Sequence, residues 1–164
     1  MASQPAATAK RERLCERGRH FEDFKVGETY HHHYGRTVTE AEAVAFATQT
    51  MNYNPLYFNR SHAQSQGHPD IVVCPWLVFN IVLGMSVEDI SEQATALLGY
   101  GEMTFHRPVY PGDTLRAQSE VLETRVSESR PGQGVLKVRT KAYNQRDEMV
   151  LDYTRTNLIR KRSP

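Results

Sequence analysis

At 164 residues the chain is long enough for one domain with a single hydrophobic core and short for two. Lys and Arg total 20 against 19 Asp and Glu, so no global field recruits nucleic acid or an anionic membrane surface. Two cysteines, Cys15 and Cys74, make neither a disulfide framework nor a zinc-ligand spacing, and they point to a reducing, cytoplasmic compartment.

Residues 1–20 are polar and basic and lack the apolar core of a secretory signal, so they read as a disordered tail ahead of a single domain over residues 21–160. Phe21 to Gly27 leads into a strand over Glu28–Arg36, dense in Tyr and His. Strand alternation sets His31 and His33 on one face and His32 on the other, which leaves at most two for one ion, and no metal site is read. Thr39-Glu40-Ala41-Glu42 is a capping box, and the helix it starts runs to about Met51. Asn52 to Asn59 is a loop interrupted by Pro55. A short helix over Arg60–Gln66 follows, then the turn Gly67-His68-Pro69-Asp70.

Cys74 to Ser91 is apolar at nearly every position up to Val87, with no polar stripe at helical period, and predicts a buried helix. Pro75 suits its first turn. The run is shorter than the roughly 18–20 residues of a membrane span. From Leu97 the period becomes that of strands, predicted over Leu97–Val109, Thr114–Ser127, about Leu136–Ala142 and Met149–Ile159, with a basic end at residues 161–164. The economical arrangement is an α+β fold in which a curved antiparallel sheet wraps the central helix. Its unpaired edges and half-covered helix predict a homodimer. The sequence carries no Gly-rich phosphate loop, Ser elbow or His-Glu-x-x-His motif, and calls for no cofactor.

Phe21-Glu22-Asp23-Phe24-Lys25-Val26-Gly27, the loop Asn54-Pro55-Leu56-Tyr57-Phe58-Asn59, the buried helix and Arg107-Pro108-Val109-Tyr110-Pro111-Gly112-Asp113-Thr114-Leu115 together resemble the MaoC-like (R)-specific enoyl-CoA hydratases and dehydratases of the hot-dog fold. The resemblance covers roughly residues 21–160. It implies an acyl thioester of coenzyme A or acyl carrier protein bound at a dimer interface, and water added to or removed from a double bond beside the thioester. The branch acting on mesaconyl- or itaconyl-type dicarboxylic thioesters is the nearest in flavour.

The family's loop reads Gly-Asp-x-Asn-Pro-x-His, and on this chain the Asp position is Asn52 and the His position Tyr57. Asn has no useful proton affinity, and Tyr, ordinarily near pKa 10, donates a proton more readily than it accepts one. Three readings stay open. In the first the chain is a lyase with Tyr57 as acid or anchor, Asn52 orienting water or substrate, and a base drawn from His68, Asp70 or the Cys74 thiol. In the second it is a noncatalytic thioester-binding protein, and in the third a cyclase or isomerase using the same pocket. The amides of Cys74, Trp76 and Leu77 at the helix start are candidate donors to the thioester carbonyl, with Asn54 on the facing loop and the Trp76 ring as a wall. Asp70 has a structural alternative as a charge complement to the helix start. His106 reads as structural.

Overall fold

The computed structural model describes residues 17–162. In chain order these form β1 (Thr29–His31), β2 (Arg36–Thr37), α1 (Glu40–Gln49), α2 (Arg60–Ser65), α3 (Pro75–Met85), a π-helical turn (Val87–Ser91), and four long strands, β3 (Ala94–Phe105), β4 (Thr114–Val126), β5 (Gln133–Tyr143) and β6 (Met149–Arg160). The sheet runs in the order β1-β4-β5-β6-β3, with β2 also paired to β4, and every pairing is antiparallel. The capping box, the short helix and three of the long strands fall where the sequence put them, while β3 starts three residues earlier than Leu97 and ends at Phe105 instead of Val109.

The inner face of the sheet meets α3 through two apolar clusters. Toward the head of the helix, Leu77, Val78, Ile81 and Val82 pack with Leu115, Ala142, Leu151 and Tyr153. Beyond its tail, Ile90 packs with Phe24, Val121, Leu136 and Ile159. Between them lie buried polar side chains, Ser86, Ser119, Thr140 and Arg155. A polar belt inside a small core is costly unless its groups find partners.

Three further expectations change. The predicted strand Glu28–Arg36 is two short strands, because β1 pairs with Gln118–Glu120 and β2 with Thr114–Leu115, so four residues on one side span two on the other. The central helix does not run to Ser91. It caps at Ser86, whose hydroxyl donates to the Leu83 carbonyl at 2.6 Å and accepts from Arg155 at 2.9 Å, and the chain re-enters as the π-helical turn. Of the expected tail, residues 1–16 lie outside the described residues, whereas Arg19 is tied to Asp89 at 2.8 Å.

Gly134 explains how the start of the domain is seated: a Cβ there would meet the Phe21 ring at 2.1 Å, so only glycine lets that ring lie on β5. At the opposite margin β3 is an edge strand with three register irregularities and exposed Leu97, Leu98 and Phe105. No helix among the described residues is long and apolar enough to cross a membrane.

Candidate active site

The loop that follows α1 is built by its own side chains. Thr39 and Glu42 cap the helix reciprocally, at 3.3 Å to the Glu42 amide and 2.7 Å from the Thr39 amide. Met51 closes it in the left-handed region, with φ 56°. Asn54 Oδ1 accepts from the Leu56 amide at 3.1 Å and starts the 3-10 turn Pro55–Tyr57, and Asn59 caps α2 through the His62 amide at 3.0 Å. Asn54 therefore spends its side-chain oxygen on the turn.

One backbone bond joins this loop to the head of α3: the Val72 amide donates to the Leu56 carbonyl at 2.9 Å. It brings the two expected segments together. Asn52 Nδ2 lies 3.5 Å from Cys74 Sγ, and half-buried Tyr57 packs against the cluster that contains Cys74. Burial, with the Cys74 sulfur beside it, raises the pKa of Tyr57 above 10. Such a phenol donates a proton and does not take one near neutrality. At the helix head the Leu77 amide already donates to the Cys74 carbonyl at 2.9 Å, which corrects its expected role as a free donor. Trp76, one residue earlier, keeps an amide with no intrahelical acceptor. Its ring is 54 % exposed, edge-on to Phe79 and Phe105 at 6.3 and 6.2 Å.

The other named candidates are occupied. Asp70 Oδ1 accepts from Arg60 Nε at 2.8 Å and from the Ile71 amide at 2.7 Å, and the Arg60 bond holds its pKa below the ordinary carboxylate value. These bonds hold Asp70 on Arg60 and on the backbone ahead of α3. His68 Nδ1 meets the Tyr110 hydroxyl at 3.0 Å and links the turn before α3 to the Tyr110-Pro111 turn.

The sequence reading gave His106 a structural role. It borders a cleft of about 210 Å³ beside the head of α3, with Val72, Pro75 and Val78, and its Nε2 lies 2.7 Å from Asp152 Oδ1. Asp152 also meets Arg139 Nε at 3.2 Å, so it holds the His106 ring by one nitrogen and leaves Nδ1 free of that carboxylate. Only the distance in sequence between His106 and Asp152 hid the pair.

A second His–carboxylate pair is buried. His32 Nδ1 meets Asp89 at 2.9 Å, its Nε2 meets Ser119 Oγ at 2.9 Å, and Ser119 meets Thr140 at 2.8 Å. The connectivity is that of a nucleophile relay, but Ser119 is wholly buried. Burial lowers the His32 pKa despite Asp89. This chain ties β1, β4 and β5 to the π-helical turn.

A sheet wrapped on one helix, with an Asn-Pro loop seated at the helix head, defines a MaoC-like hot-dog protein. The match to the crystal structure of a MaoC domain protein dehydratase from Chloroflexus aurantiacus bears this out, with a TM-score of 0.85 and 39% identity over 90% of this chain and 42% of that one. The family model for mesaconyl-CoA hydratase matches residues 4–164, and the chain belongs to that family. It is 40% identical over 145 residues to a mesaconyl-CoA hydratase of Cereibacter sphaeroides, covering 88% of this chain and 42% of the relative. It is also 40% identical over 148 residues to a beta-methylmalyl-CoA dehydratase of Chloroflexus aurantiacus, covering 90% and 42%. The chain thus spans less than half the length of these relatives.

Proposed function

We propose that this chain is a hydratase or dehydratase of a branched acyl-CoA thioester, acting in the cytoplasm as one half of a two-unit hot-dog assembly. The observation that carries the reading is the Leu56–Val72 bond, which seats the Asn52–Tyr57 loop on the head of α3, where a thioester carbonyl meets an unpaired amide. The substrates in the relatives' names are methyl-branched dicarboxylic thioesters of coenzyme A, which favours that class over carrier-protein substrates.

In this reading the Trp76 amide polarises the carbonyl and the Trp76 ring covers the acyl group. His106, held by Asp152, takes a proton from water whose oxygen bonds to the β-carbon. Tyr57 gives a proton to the α-carbon, and Asn52 orients the water. Between turnovers the proton on His106 returns to Tyr57 through water, which restores the phenol. Asn54, His68 and Asp70 position the loop and the turn and do not carry protons. The second unit is a second copy, supported by the exposed apolar edge of β3 and by relatives more than twice as long.

The reading is tested by calorimetric titration with a mesaconyl-CoA thioester and with free mesaconate. The thioester should bind at least tenfold more tightly at the helix head, and Cys74→Phe or Trp76→Ala should weaken it. Equal affinity for thioester and free acid in that test, or no thioester binding, contradicts the assignment.

A further inference from the structure

Arg155 stands on β6 at only 2 % exposure, and burial lowers its pKa from the usual arginine value. One guanidinium nitrogen donates to Ser86 Oγ at 2.9 Å and another to Ser91 Oγ at 3.4 Å, while Nε has no acceptor. Among the described residues no carboxylate forms an ion pair with it. Asp89, on the neighbouring turn, is engaged by His32 and Arg19. Two residues along the strand Asn157 is also 2 % exposed, and its Nδ2 donor has no partner.

Both side chains border one open cavity of about 350 Å³ between the tail of α3 and the edge strand β3. Its apolar walls include Leu83, Val87 and Leu97. At about 1.5 Å per helical residue, the Ser86 end of α3 is about 16 Å from the head, so this cavity is distinct from the cleft beside Trp76.

A buried guanidinium without a counter-charge bears its desolvation cost with little Coulombic return, and a buried amide donor without an acceptor adds to it. Both costs fall when an anion with planar acceptor oxygens enters. Arginine's fork matches a carboxylate, and the hydrocarbon walls match an aliphatic body better than a bare inorganic ion.

We propose that this cavity binds a small aliphatic carboxylate, with its oxygens on Arg155 and Asn157 and its hydrocarbon body against Leu83, Val87 and Leu97. The carboxylate belongs either to a free organic acid or to the far end of a dicarboxylic acyl thioester. For a free acid the site stands independently of the proposed hydratase reaction; for a thioester's carboxylate it rests on that reading.

The experiment is calorimetric titration of the full chain with isovalerate and with its uncharged isostere isovaleramide, repeated with Arg155→Gln and with Val87→Trp. The second variant fills the cavity mouth from a position 41% exposed and leaves the buried belt intact. Isovalerate should bind at least tenfold more tightly than isovaleramide, and both variants should abolish the difference. Equal binding of acid and amide, or isovalerate binding unchanged by Val87→Trp, overturns the proposal. So does a change of oligomer mass in Arg155→Gln without any acid binding, since the counter-charge then comes from a second copy. Competition with succinyl-CoA separates the sources: displacement of isovalerate identifies the thioester's carboxylate, and simultaneous binding identifies a free acid, each supporting the site.

Discussion

Asn52 reaches Cys74 across 3.5 Å, linking the position after α1 to the residue that caps α3. The contact sets a polar amide at the helix head, in the place where the family pattern carries an acid. On the same loop, burial raises the pKa of Tyr57, which in the proposed reaction gives the proton.

Tyr57→Phe removes one hydroxyl from a ring already packed in the core, so folding should persist while turnover falls by about 10²-fold with little change in substrate affinity. Steady-state kinetics separate the two parameters. Unchanged turnover assigns Tyr57 to packing alone. The double change Asn52→Asp with Tyr57→His should raise hydration of a simple enoyl-CoA, and a folded double variant without gain shows a pocket shaped around the present pair.

His106→Gln keeps bulk and a hydrogen bond toward Asp152 but removes the imidazole. Turnover should drop by about 10²-fold or more with little change in thioester affinity. Unchanged turnover would place the base elsewhere.

The buried His32–Asp89 pair makes stability depend on pH. Burial sets the folded His32 pKa below its ordinary 6.5. The unfolded chain therefore binds the proton first, and stability falls as pH drops below about 6.5. For Asp89 burial raises the pKa, but the bonds from His32 and Arg19 outweigh it and leave the folded value below the ordinary 3.8, so its contribution is lost only in stronger acid. Urea midpoints should fall from pH 7.5 to 5.5 in the native chain and fall less in His32→Gln. Equal slopes would remove His32 from the pH dependence.

Much of the fold was legible because its signals are local. Thr39 and Glu42 are three residues apart, Asn54 and Leu56 two, and the strand period of β5 is plain in Leu136, Val138 and Thr140. The break at Ser86 was not legible, since Val87 continues the apolar run and the partner that stabilises the break, Arg155, is 69 residues away. The site divided along the same line. Asn52, Tyr57, Cys74 and Trp76 lie on two segments whose meeting could be read from order and resemblance. The pairs His106–Asp152 and His32–Asp89, 46 and 57 residues apart, exist only after the sheet has closed.

The β3 edge gives a prediction for assembly. Leu98 is 53% exposed on an edge strand with open hydrogen-bonding groups. Light scattering should report twice the 18.7 kDa chain mass for the native protein and a shift toward the single chain for Leu98→Glu. A native species of 18.7 kDa at micromolar concentration contradicts a homodimer.

The most direct measurement is the reaction of a mesaconyl-CoA thioester in deuterated water, followed by loss of the enoyl-thioester absorbance and by mass analysis of the product. Conversion to the hydrated thioester with one deuterium at the α-carbon, slowed about 10²-fold in Tyr57→Phe, is the predicted result. Tight thioester binding with neither hydration nor deuterium uptake would contradict it.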